Sequence, residues 1–111
     1  MTIRDMVREI QIEVRDTDLQ PDRGAELMLK LSAIQGNIAD EQRAADLAYA
    51  ELYLALFKEH GAANRARLYA DVTPEYSRKR EAKDTQELAK QLMISLRQFL
   101  RTKSDEMRLT R

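Results

Sequence analysis

Residues 21–59 read PDRGAELMLKLSAIQGNIADEQRAADLAYAELYLALFKE. Leu27, Leu31, Ile34 and Ile38, then Ala45, Ala48, Leu52 and Ala55, recur at three- and four-residue steps. That spacing is one face of an α-helix carried through four heptads, with Glu41 as its one polar interruption. About 38 residues at 1.5 Å each make a helix of roughly 57 Å. A compact chain of this size has a radius of gyration of only about 13 Å. The remaining residues are too few to wrap such a helix, so the expectation is an elongated protein that buries its seam partly against copies of itself.

The seam changes character near Gly36. Before it stand Leu27, Met28, Leu31 and Ile34; after it Ala44, Ala45, Ala48, Ala50 and Ala55 dominate. Small residues let a partner helix approach closely. Beside the seam Tyr49, Tyr53 and Phe57 follow at four-residue steps. These rings either widen the core face or form a stacking platform for bases.

Upstream, Ile3, Met6, Val7, Ile10 and Val14 share one face of a short amphipathic helix over residues 2–15, with Thr2 as a candidate N-cap. The run Asp16-Thr17-Asp18-Leu19-Gln20 breaks that pattern, and Pro21 suits the first turn of the next helix, residues 21–60. Downstream, Gly61 is the expected left-handed cap after His60. Residues 62–70 form a short helix or continue the long one past a kink. Thr73, Pro74 and Glu75 are a helix start. The last helix, residues 74–108, carries Leu88, Leu92, Leu96, Phe99, Lys103 and Met107 as its seam. Between Ser77 and Glu87 that seam disappears, so this stretch is expected to be solvent-exposed or to face a charged partner. The fold expected is all-α and a single domain: a helical hairpin of two long antiparallel helices with a short N-terminal amphipathic helix. Leu27, Leu31, Ile34, Ile38, Ala45, Leu52, Leu92, Leu96 and Phe99 are its expected oligomer seam.

Composition agrees with solvated helices. Charged residues make up 34% of 111, with three Gly and two Pro, and the net charge is zero. The apolar residues are periodic rather than sparse, which separates the chain from a disordered one. Without Cys there is no disulfide, thiolate nucleophile or cysteine-bound zinc. No apolar run reaches membrane-spanning length, and Arg4, Asp5, Arg8 and Glu9 interrupt the N-terminal pattern where a signal peptide needs an apolar core. A cytoplasmic protein without a membrane partner is expected.

Enzyme signatures are absent: no Gly-rich phosphate loop, no HExxH and no G-x-S-x-G. The carboxylates alternate with Lys and Arg at helical spacing, the pattern of surface ion pairing. A lone His60 has no second His to complete a site and suits the negative end of the helix dipole. No cofactor or metal is expected. What stands out is the bend between the long helices. Arg65, Arg67, Arg78, Lys79, Arg80 and Lys83 face only Asp71, Glu75 and Glu81, a net +3. Tyr69 and Tyr76 are interleaved. Cations with rings are the chemistry of a phosphate-backbone site with base stacking, although a solvated, Arg-rich bend has the same composition. A second basic group, Arg97, Arg101, Lys103, Arg108 and Arg111, is explained as cations favoured near a helix C-terminus.

The order of an amphipathic segment, Asp16 to Gln20, a long helix, the run Arg65-Ala66-Arg67-Leu68-Tyr69, and a final helix ending in Met107-Arg108 resembles the small helical recombination mediator proteins of T4-type bacteriophages. The stretch between the basic run and the last helix is shorter here. The resemblance implies a homo-oligomer that binds single-stranded DNA and helps load a RecA-like recombinase onto DNA coated with single-stranded-DNA-binding protein. It also implies that Arg65 and Arg67 are the DNA-binding pair. The competing expectation is a structural or adaptor protein that acts through protein–protein contacts alone.

Overall fold

The structure, a computed structural model, describes residues 1–109. Arg111 of the C-terminal basic group lies outside the described residues. Four helices and no strand are found among the described residues: α1 (Ile3–Asp16), α2 (Pro21–His60), α3 (Ala63–Ala70) and α4 (Pro74–Leu109). The chain divides into two compact units, one built from residues 1–36 and the described residues from 87 onward, the other from residues 37–86. The first division falls at Gly36, where the α2 seam passes from large to small side chains.

In the first unit, α1 begins with a reciprocal cap. The Asp5 backbone N–H donates to Thr2 Oγ1 at 3.1 Å and the Thr2 N–H donates to Asp5 Oδ2 at 3.2 Å. Those bonds hold the Asp5 carboxyl below its ordinary range. Val7 and Ile10 carry the buried face of α1. Arg23 ties α1 to the start of α2, donating to both oxygens of Glu13 at 2.6 and 2.8 Å and to Glu26 at 2.8 Å. A Cβ at Gly24 would lie 3.1 Å from Phe99 Cε1 and 3.4 Å from Leu100 Cδ2. A side chain at this position would make the Phe99 ring give by a few tenths of an ångström, so glycine suits the close approach of α2 and α4 here.

The second unit is cored by small residues. Ala45, Ala66, Ala70, Ala82 and Thr85 are buried with Ile38. Gly61 turns α2 into α3 at φ +69°, its N–H donating to Phe57 O at 2.8 Å. α3 is therefore a separate helix rather than a continuation of α2. Thr73 fixes the next corner: its hydroxyl donates to Ala70 O at 2.6 Å and accepts from the Tyr76 N–H at 3.3 Å.

Three expectations are corrected. Leu27, Leu31, Ile34, Ile38, Ala45, Leu92 and Leu96 are between 0 and 8% exposed within a single chain, and Leu52 and Phe99 are half-buried. The seam is spent inside the molecule, so it has little surface left for another copy. Second, the apolar register of α4 does not stop at Glu87. Ala82 and Thr85 are buried and lead at three- and four-residue steps into Ala89, Leu92 and Leu96. A methyl group and a hydroxyl that donates to its own Glu81 carbonyl at 2.8 Å fill positions where large apolar residues were looked for. Third, the seam ends early: Met107 is 61% exposed and Ala55 is exposed as well.

Candidate nucleic-acid interface

Within the second unit an open groove of about 470 Å³ is lined by Asp46, Tyr49, Ala50, Tyr53, Leu54, Arg67 and Lys79. Helical phase explains the α2 side of it. Asp46, Tyr49, Ala50 and Tyr53 stand at i, i+3, i+4 and i+7 and share one face. α3 brings Arg67 and α4 brings Lys79.

The rings form a connected cluster. Tyr49 and Tyr53 stack with centroids 6.5 Å apart at 30°, and Tyr76 tilts against Tyr49 at 5.9 Å and 48°. Tyr49 is fixed from two sides. Its hydroxyl donates to Asp71 Oδ1 at 2.8 Å, and Lys79 Nζ lies 4.3 Å from its ring centroid. Burial first, then the Asp71 carboxylate, pushes the Tyr49 phenol above its ordinary value. Tyr49 is therefore an anchored donor, and Tyr53, one turn on and likewise half-buried, lines the groove beside it.

The cations singled out in the sequence separate into groups. Arg67 and Lys79 line the groove together. Arg65 does not: two residues apart on a helix places the pair about 200° apart around α3. Arg78 is committed elsewhere, its Nε and Nη2 donating to the two oxygens of Glu41 at 2.8 and 3.2 Å. Arg80 donates to the Tyr76 hydroxyl at 3.1 Å and sits 5.9 Å from that ring's centroid. Lys83 is exposed, one turn beyond Lys79. Tyr69 is 51% exposed and stacks with His60 at 4.4 Å and 11°, so His60 covers part of the ring expected to receive a base.

Sequence reasoning missed Asp46 and did not join the Tyr49–Tyr53 stripe, read as a widened core face or a stacking platform, to Arg67 and Lys79. The signal was present as the Tyr49–Tyr53 step, which also fits a widened core face. Chemically the groove offers two cations to an anion, ring faces to a planar group, and at Asp46 a carboxylate that can only accept hydrogen bonds. Among the described residues no group of three or more His, Cys, Asp or Glu is placed to hold a metal ion. No helix among them is long and apolar enough to cross a membrane. No protein-family model, curated protein or solved structure matches the chain.

Proposed function

We propose that this chain is a non-enzymatic, single-stranded-DNA-binding recombination mediator. It acts in the cytoplasm of a bacterial host and assists a RecA-like recombinase on DNA coated with single-stranded-DNA-binding protein. The observation that carries the DNA-binding part is the convergence of Arg67 and Lys79 on a groove walled by Tyr49 and Tyr53. Cations that track a phosphate backbone beside rings that stack on bases are how proteins hold a strand without reading its sequence. The recombination part rests on the resemblance of the Arg65–Tyr69 run and its flanking helices.

In this proposal α2 and α4 are the arms of an antiparallel hairpin. The Glu41–Arg78 and Tyr49–Tyr76 contacts support that arrangement, because α2 numbers rise as α4 numbers fall. Few contacts per chain make useful affinity depend on several chains along one strand. With the seam spent internally, the surface left for self-association in the second unit is a different stripe of α2: Leu47, Leu54 and Phe57, exposed at 60, 55 and 42%. That same stripe favours the second reading, a structural or adaptor protein indifferent to DNA.

Titration of an oligo-dT strand across salt decides between the two. Binding that weakens with salt, and drops at least about tenfold in the Arg67→Ala/Lys79→Ala double variant, is expected. Wild-type protein that ignores the strand at low salt leaves the adaptor reading standing.

A further inference from the structure

The C-terminal part of α4 carries charge that neither the groove nor the helix dipole explains. Lys90, Arg97, Arg101 and Arg108 are all exposed. At 3.6 residues per turn they fall within an arc of about 40° along about 27 Å of one helix. Dipole attraction fades within the last turn, so it accounts for Arg108 and leaves the other three. None of the four forms an ion pair, hydrogen bond or ring contact with another described residue. Lys103, by contrast, faces away from this stripe, pairs with Glu106 at 3.4 Å and lies 5.9 Å from the Phe99 centroid.

The stripe is also disfavoured locally. Arg97 and Arg101 are like charges four residues apart, a spacing that destabilises a helix. Asp105, four residues past Arg101, makes no ion pair with it. From residue 90 to 108 the helix bears five cations against Asp105 and Glu106, a net +3, in a chain whose total is zero. Ser104 is exposed about 40° from the centre of the stripe. Arg, Lys and Ser are among the side chains that hold phosphate oxygens. Apolar anchors for a protein partner are sparse: within the stripe only Ile94 is apolar, and it is 37% exposed. No ring is offered either, since Phe99 is half-buried beneath Lys103.

We propose that the Lys90–Arg108 face of α4 is a docking track for the phosphodiester backbone of nucleic acid, blind to the bases. It shares no residue with the groove and does not depend on it. The groove joins cations to rings and favours strands that carry bases; the stripe has cations alone and takes a strand without them.

The test uses an abasic deoxyribose-phosphate oligomer, oligo-dT of equal length, and polyglutamate, titrated from 50 to 200 mM salt. Four neutralised phosphates give a slope of about −2.8 in log K against log salt, which is about 50-fold across that range. Arg97→Gln/Arg101→Gln halves the slope, leaving about 7-fold on the abasic strand. That variant keeps its helicity, because both side chains are exposed and their repulsion is removed. Arg67→Gln/Lys79→Gln weakens oligo-dT by more than it weakens the abasic strand, because the groove loses its ring-assisted grip on bases, whereas Arg97→Gln/Arg101→Gln weakens the two strands alike, so failure of the groove and failure of the stripe give different results. Abasic binding that is unaltered in Arg97→Gln/Arg101→Gln overturns the proposal. So does capture of polyglutamate without the abasic strand, which assigns the face to an acidic polypeptide.

Discussion

Glu41 and Arg78 meet through a two-pronged contact in which the guanidinium Nε and Nη2 reach separate carboxylate oxygens at 2.8 and 3.2 Å. Glu41 is the residue that interrupts the apolar register of α2. Arg78 stands four residues before Ala82, in step with the buried series of α4. The polar break in one helix is thus answered by a cation from the other, and the planar fork of Arg suits the task better than Lys would.

This pairing withdraws Arg78 from any ligand. Arg78→Ala is expected to leave oligo-dT affinity within about twofold of wild type, whereas Arg67→Ala lowers it, since only Arg67 lines the groove. Fluorescence anisotropy at fixed salt measures both. A loss in Arg78→Ala equal to that in Arg67→Ala, with the fold intact, contradicts the assignment.

Acid sensitivity follows from the same contact. Arg78 holds Glu41, and Arg23 holds Glu13, below the ordinary glutamate value of 4.5. The unfolded chain then takes up protons at a pH where the folded one does not. The stabilisation is complete above that value and is lost as pH falls through the lower folded values. The melting temperature should hold from neutral pH to about pH 5 and drop below about 4.5. Glu41→Gln should shrink part of that drop; an identical acid limb in the variant would show that the contact carries no linkage.

The helical class, the α2 limits, the Thr2 and Thr73 starts and the Gly61 turn were legible because each is written in local chemistry: a cap, a ring-locked φ, a residue without Cβ. What the three-and-four pattern left open was which surface it meets. A stripe such as Leu27–Leu31–Ile34 reads the same whether its partner is α4 of its own chain or another molecule. Ala82 and Thr85 escaped notice because a small or hydroxyl side chain at a core position looks like surface. At the groove, cations were found by type, but type does not say that Arg65 and Arg67 face opposite ways or that Arg78 is already paired.

The internal seam makes a thermodynamic statement. Leu31→Ala and Leu96→Ala each remove a fully buried side chain and should cost about 2–5 kcal/mol. Because one chain buries both, the cost of each substitution should be the same at every protein concentration, whether or not copies associate through Leu47, Leu54 and Phe57. A cost that grows as the protein is diluted would return the seam to an interface between copies.

The three glycines separate cleanly. A Cβ at Gly36 meets nothing within 4 Å, so Gly36→Ala should raise stability by about 0.5–1 kcal/mol through helix propensity. At Gly61, with φ +69°, the same change should cost about 1–2 kcal/mol. Gly24→Val should be the worst of the set, its branched carbons driven against the Phe99 ring. Urea denaturation ranks the three, and any other order argues against these backbone and contact assignments.

α3 meets the rest of its unit through the methyl groups of Ala66 and Ala70, both wholly buried, and the Tyr69 ring stacked on His60, and eight residues are too few to hold helical form unaided. Such an element detaches before its neighbours do. Arg67 is therefore carried on the element of its unit expected to open first. Slowed deuterium uptake along residues 63–70 when a strand is bound, with α2 unchanged, is the expected sign that the strand holds this element down.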